Sequence, residues 1–341
     1  MKNPNIMEQY KLDITKDKMV DYLIVSPFLN SANFVVTAKP DRARALVVGR
    51  DEMDQKLLSY LEQGLKVNNI IVCNASFTDE KLWEYLRSNN IKVSFYESGF
   101  FPHVNHNSRE IDKRWLMDPW GYGSKSLLAQ SRLDDIEINE KKVTRAIEKY
   151  KIIYTRANKE FSLDRPFVVL VLQVPGDGTL VDGYPEFSGW QKIIDFVGSK
   201  VRGRKEHLII KMHPGGVGER ISLPTRSFAI QDTMFNSYLM SNASLIVGIN
   251  SSFLYEASIA HNAPVLCLGK SWFTSHPEVA PIISMEDKKI KRPVITEEVK
   301  LYRKKMYFIL DKMQTIPHYT LKVFLDQHEK TSGIKKIEDY V

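Results

Sequence analysis

Only two cysteines occur in the 341 residues, Cys73 and Cys267, each within a strand-like apolar run, IIVCN and PVLCLG. That scarcity excludes a disulfide framework and predicts a buried, reduced thiol at each position. No run of 18 apolar residues exists, so no membrane-spanning helix is expected. The opening MKNPNIMEQYKLDITKDK has no apolar h-region, so no secretory leader is read there and a cytoplasmic protein is expected. The chain also lacks GxGxxG and GxxxxGK[ST] motifs, which demotes ordinary dinucleotide and P-loop chemistry. No three histidines fall at metal-ligand spacing, no DxD pair is poised at a strand end, and Asp134-Asp135 lies in the linker-like SRLDDIEIN; neither a metal nor any other cofactor is expected.

Positive charge is in excess: 48 Lys and Arg against 41 Asp and Glu, a net +7. Much of it clusters late, in EDKKIKRP and KLYRKKMY, where no RNA- or DNA-binding motif accompanies it. Nucleic acid is therefore not an expected partner. An anionic small molecule, or a peripheral contact with anionic lipid at an inner membrane, suits the balance better.

Apolar runs and helical patterns alternate along the chain, which argues for α/β layers with parallel sheets. In the first half YLIVS (22–26), ALVVG (45–49), NIIVCN (69–74) and KVSFYE (92–97) read as strands, with helices over DEMDQKLLSYLEQGL and TDEKLWEYLRSNN. The second half restarts with RPFVVLVLQV (165–174), followed by HLIIKMH (207–213), SFAIQD (227–232), SLIVGIN (244–250) and PVLCLG (264–269) at βα spacing. The expected organisation is a Rossmann-like domain over 1–138, a charged linker helix within 139–164, a second Rossmann-like domain over 165–312, and a helical segment over 313–341 that packs back on the first domain. Two such domains in tandem face each other across a cleft. The aromatic, Gly- and Pro-rich stretch 98–130 has no period and reads as a long functional loop. Phe100, Phe101, Trp115 and Trp120, with His103 and His106, either stack on a sugar acceptor or anchor the loop on its own domain.

Ligands of open α/β sheets collect at the carboxyl ends of the strands, and the polar residues of the second domain gather there. In KMHPGG, Lys211 and His213 are two apart and share a strand face, while Gly215 and Gly216 let a ligand approach the backbone. In GINSSFLYEAS a strand ends at Asn250, and Ser251 and Ser252 open a helix whose N-terminus favours an anion, whether or not a serine also serves as its cap. Glu256, one turn in, is a candidate acceptor for a ribose hydroxyl or an ordinary surface glutamate. Gln173 ends the first strand of this domain, and Asp177 follows in the turn-forming PGDG. Glu97 ends the fourth strand of the first domain. A carboxylate on each side of a cleft is the equipment of glycosyl chemistry, one as nucleophile and one as acid or base.

Taken in order, YESGFFPHV…MDPWGYGSKSLL, LVLQVPGDGTL, IIKMHPG and IVGINSSFLYEASIAHNAPVLCLGK resemble the bacterial capsule-polysaccharide and lipopolysaccharide β-Kdo transferases, over roughly residues 92–275. Kdo is 3-deoxy-D-manno-oct-2-ulosonic acid. The resemblance implies a GT-B-like, metal-independent enzyme that moves Kdo from CMP-β-Kdo to a glycan or glycolipid acceptor with retention, alongside other glycan-assembly proteins. It assigns Asp177 as nucleophile in a Q-x-x-x-D loop, Glu97 as the group assisting proton transfer, and His213 with Ser251 or Ser252 as holders of the CMP phosphate. Lys211, Asn250 and Glu256 complete the nucleotide site, with Gln173, Gly215 and Gly216 supporting it. Gly178-Thr179 stands where such enzymes often carry a small residue and a serine. Paired-serine and HP motifs also occur in bacterial sialyltransferases, so an inverting CMP-sialic acid or nonulosonate transferase is the alternative. A non-catalytic nucleotide- or glycan-binding module and a nucleotide-sugar epimerase are two further readings.

Overall fold

A computed structural model describes residues 19–26, 43–47, 53–73, 77–98, 101, 103–104, 111–112, 114–155, 163–175, 177–202, 205–217, 219–315 and 321–341. In chain order the elements of the first part are β1 (Met19–Ser26), β2 (Ala43–Val47), α1 (Met53–Glu62), β3 (Lys66–Cys73), α2 (Glu80–Ser88), β4 (Lys92–Ser98), β5 (His103–Val104), β6 (Ile111–Asp112) and β7 (Trp115–Asp118). Then follow α3 (Leu127–Gln130), α4 (Glu140–Thr155), β8 (Phe167–Val171), α5 (Gly178–Gly183), α6 (Trp190–Arg202), β9 (His207–Lys211), β10 (Ser227–Ile230), α7 (Asn236–Asn242), β11 (Leu245–Gly248), α8 (Ser252–His261), β12 (Val265–Cys267), α9 (Glu297–Met313), β13 (Gln314–Thr315) and α10 (Leu321–Thr331).

The chain forms two compact units. One comprises residues 1–127 and 312–341, the other residues 128–311. The division falls at 127/128 rather than at 138, and α4 belongs to the second unit instead of standing as a spacer. Its apolar stripe, Val143, Ile147 and Tyr150, is buried, and a helix with a buried stripe belongs to the body that covers it. Residues 312–341 are part of the first unit.

In the first unit the sheet order is β13-β7-β4-β3-β1-β2. The four strands read from sequence run parallel, whereas β7 pairs antiparallel with β4, and β13 antiparallel with β7. Leu23, Val25, Ile70, Val72, Val93 and Phe95 form one core with Met53, Leu57 and Leu61 of α1 and Leu82 and Leu86 of α2. Alternate residues carry a polar contact: His328 of α10 meets Ser94 Oγ through Nδ1 at 2.7 Å and Asn69 Oδ1 through Nε2 at 3.2 Å, all three buried. Of the loop residues named above, Phe100, His106 and the side chain of His103 lie outside the described residues, as does the side chain of Cys73. Phe101 is buried and Trp115 packs on Tyr96 at 5.8 Å between ring centroids, so these two anchor their own unit, while Trp120 is exposed.

The second unit is built on β8, whose five consecutive apolar residues FVVLV are all buried, the pattern of a central parallel strand covered on both faces. The order is β10-β9-β8-β11-β12, parallel throughout. Val168, Leu170, Leu208, Ile210, Leu245 and Val247 pack with Trp190, Ile194 and Val197 of α6. Phe167, one residue out of that register, stacks instead on Tyr238 of α7, so helices cover both faces in doubly wound, Rossmann-like fashion. Cys267 is buried and unpaired. Among the described residues no helix is long and apolar enough to cross a membrane.

Candidate functional site

The strand order of the second unit reverses between β8 and β11, which is where an open α/β sheet leaves a crevice at its carboxyl edge. Most of the site residues read from the second half of the sequence lie on the segments leaving β8, β9 and β11 there. Gln173 follows β8 and Asn250 follows β11. Their amides face each other, Gln173 Nε2 donating to Asn250 Oδ1 at 3.0 Å and the Asn250 backbone N–H donating to Gln173 Oε1 at 3.3 Å. Asn250 Nδ2 also donates to the carbonyls of Thr179 and Lys270. Both amides are buried and engaged with protein groups. Asn250, expected beside the phosphate, thus has both Nδ2 hydrogens committed to backbone carbonyls and ties the β8, β11 and β12 exits together.

Asp177 caps the short helix α5. Its Oδ1 accepts from the Thr179 backbone N–H at 2.8 Å and from Thr179 Oγ1 at 2.7 Å. The PGDG turn is therefore the start of a helix, and the aspartate is oriented by the residue two positions on.

On the β9 side Pro214 and Gly215 form a turn closed by Gly216 N–H donating to the His213 carbonyl at 2.8 Å. Gly216 has φ +80°, which favours glycine. Gly215 donates its N–H to His213 Nδ1 at 3.0 Å, which leaves Nε2 as the protonated nitrogen of the neutral ring. Gln231 braces the turn from β10's end, donating to the carbonyls of His213 and Pro214. Burial pushes the His213 imidazole below the usual histidine range; Asp177 pulls the other way and Lys211 adds to the depression. Asp177 and Lys211 are thus each close enough to His213 to act on it electrostatically.

Lys211 is only 5% exposed and makes no salt bridge among the described residues. Its Nζ donates to the Met212 carbonyl at 3.3 Å and lies 5.9 Å from the ring centre of Phe253, in the first turn of α8. Burial lowers its pKa, opposed by Asp232. Met212 turns to the apolar core instead, as the alternation of a strand requires. Ser251 caps α8, its Oγ accepting the Phe253 N–H at 3.4 Å, and Ser252 is exposed at the first helical position. A buried cation and a neutral imidazole donor at the β9 exit, and the N-terminus of a ten-residue helix at the β11 exit, thereby flank β8. Such a set suits an oxyanion, because each group presents positive charge or N–H to it.

Glu256 is buried and accepts from Tyr150 of α4 at 3.2 Å, so its carboxylate joins α8 to α4 rather than lying on the surface. Glu97, in the first unit, is half-buried at the end of β4 opposite Leu116 of β7. Two glycines that sequence reading passed over also shape the site. A Cβ on Gly183 would collide with Asn250 Nδ2 and the Lys270 carbonyl, and one on Gly269 with Ile249. Lys270, whose N–H donates to the Gly183 carbonyl at 2.8 Å, is an exposed cation at the same edge. Among the described residues no three His, Cys, Asp or Glu side chains gather as metal ligands.

No protein-family model matches the sequence, and no curated protein does. Solved structures with a similar fold include KpsC of Thermosulfurimonas dismutans as a β-Kdo 2,4 transferase, 14% identical over 77% of this chain and 83% of that one, with a TM-score of 0.48. They include the β-Kdo 2,7 transferase of the same name and organism, 15% identical over 84% and 90%, with a TM-score of 0.44. The UDP-GlcNAc 2-epimerase of Methanocaldococcus jannaschii is similar at 12% identity over 86% and 99%, with a TM-score of 0.33. At these identities the likeness is one of fold.

Proposed function

We propose that the protein is a glycosyltransferase of GT-B-like architecture that takes an anionic, cytidylate-activated keto sugar, with CMP-β-Kdo as donor and a glycan or glycolipid hydroxyl as acceptor, and that transfer proceeds with retention. The observation that carries this reading is the grouping of Asp177, Lys211, His213 and the α8 N-terminus at one sheet edge. Lys211, His213 Nε2–H and the α8 N-terminus stabilise the departing phosphate. The Asp177 carboxylate forms a bond to the anomeric carbon as the bond from that carbon to the phosphate oxygen breaks, and the electron pair leaves with CMP. An acceptor hydroxyl then displaces the carboxylate, its proton passing to a base, the role given to Glu97; two inversions give retention. On this reading Asn250 and Gln173 act from behind the site, and Glu256 reaches a ribose only while it also holds Tyr150.

The test is incubation of the purified protein with CMP-Kdo and, separately, CMP-Neu5Ac, following CMP release and the intact mass of the protein. CMP release from CMP-Kdo with a sugar-sized mass increment on Asp177 supports the proposal. Turnover of CMP-Neu5Ac alone, with no adduct, replaces it with the inverting transferase. Binding of CMP with no turnover of either donor replaces it with a non-catalytic module, and binding of uridine but not cytidine nucleotides with an epimerase.

A further inference from the structure

A continuous chain of hydrogen bonds runs from the β11 exit to Asp177. Asn250 Oδ1 accepts from Gln173 Nε2 at 3.0 Å, and the same Nε2 donates to Thr179 Oγ1 at 3.1 Å. Thr179 Oγ1 in turn donates to Asp177 Oδ1 at 2.7 Å, beside the Thr179 backbone N–H at 2.8 Å. The direction of each bond is fixed by chemistry. An amide nitrogen only donates, so Gln173 occupies a lone pair of the Thr179 oxygen and leaves its single proton for the carboxylate. Oδ1 therefore receives two donors, whereas Oδ2 receives no hydrogen bond among the described residues. A carboxylate oxygen with two donors is the weaker nucleophile of the pair, because its lone pairs are already engaged. The far end of the chain is rigid, since Asn250 is pinned to the carbonyls of Thr179 and Lys270 and Gly183 leaves no slack around it.

We infer that Thr179, set by the Gln173–Asn250 amide pair, is a positioning residue that holds Asp177 by Oδ1 and presents Oδ2 as the oxygen that forms the bond to the sugar. This rests on the nucleophilic role proposed for Asp177, and it adds which oxygen reacts and what aims it. Thr179 does not touch the sugar or the phosphate on this account. Its hydroxyl is the required group and its methyl is not, so serine substitutes for it and the isosteric valine does not.

The experiment compares Thr179→Val and Thr179→Ser with the wild type in two ways. Crystal structures of the three proteins without donor show whether the carboxylate keeps its orientation, which is independent of what the donor is. Kinetics of CMP release from CMP-Kdo, with CMP affinity by calorimetry, show whether the orientation matters. In T179V the Asp177 carboxylate is expected to rotate away from its wild-type rotamer, and kcat to fall about 10–100-fold, the size of effect that misplacement of a reacting group produces. KM and CMP affinity stay within about 3-fold, and T179S retains both orientation and rate. An Asp177 rotamer unchanged in T179V overturns the inference, as does a T179S loss equal to that of T179V. Failure of the wild type to release CMP from CMP-Kdo sinks the proposed donor but leaves the orientation arm to decide the role of Thr179.

Discussion

The backbone N–H of Gly215 donates to Nδ1 of His213 at 3.0 Å, so the imidazole is held as a neutral ring with its proton on Nε2. Protonating Nδ1 would set two donors against each other, which adds to the burial that already lowers this pKa. Affinity for CMP is therefore expected to stay flat as pH falls through the ordinary histidine range, where a phosphate site relying on an imidazolium would tighten. Calorimetric titration of CMP at a series of pH values checks this. In His213→Ala, loss of the donor should cost about 2–4 kcal/mol of transition-state stabilisation.

Lys211 is buried with no carboxylate in contact among the described residues, an arrangement that costs folding energy unless an anion arrives. Lys211→Met is expected to leave thermal stability unchanged or higher while weakening CMP binding about 10–100-fold, in line with a hydrogen bond to a charged group of about 1.5–3 kcal/mol. Differential scanning calorimetry with and without CMP reads both. A variant that loses stability and keeps its affinity would remove Lys211 from the site.

Asp177→Asn keeps a capping side chain on α5, so its melting temperature should stay within a few degrees of the wild type. On the proposed mechanism transfer should nevertheless fall by about three or more powers of ten, because the amide cannot form the proposed covalent intermediate. Parallel unfolding and CMP-release assays separate the two effects.

A Cβ at Gly183 meets the amide of Asn250 and a backbone carbonyl, neither of which can withdraw cheaply. Gly183→Ala should destabilise the second unit by about 1–3 kcal/mol, the range for overpacking a filled site. Urea unfolding measures the loss.

His328 and His276 are fully buried, and burial holds each at about 4 against an ordinary 6.5. His276 Nε2 donates to the Leu128 carbonyl at 2.8 Å, so the neutral ring's Nδ1 accepts from the Tyr302 hydroxyl at 2.7 Å. Between those pH values the unfolded chain binds protons that the folded chain does not, so stability is complete above about 6.5, falls as pH drops through the window and levels off near 4. Each histidine accounts for about 3 kcal/mol of that loss. Hydrogen exchange in α10 should accelerate on acidification beyond its intrinsic pH dependence, and His328→Asn should reduce that acceleration.

The parallel strands were legible because burial on both faces leaves an unbroken apolar run, as in FVVLV, that a helix boundary or a turn cannot imitate. β7 was not, because WLMD sits inside an aromatic and proline-rich stretch and gains its partners from β4 and from Gln314, almost two hundred residues away. The polar residues at the strand exits were legible as types but not as roles. Asn250 looks from its neighbours like a phosphate ligand, yet its hydrogens go to Thr179 and Lys270, contacts that no local pattern announces. Glu256 has the spacing of a site residue and is buried against Tyr150, which lies 106 positions earlier. Gly183 carries no sequence signal, since the crowding that demands it comes entirely from the β11 and β12 exits.

The first unit takes residues from both sides of the second, and its β13 and α10 follow residue 311. During synthesis the sheet of the second unit can therefore close while that of the first still lacks an edge strand and the helix bearing His328, so the unit begun first is the unit finished last.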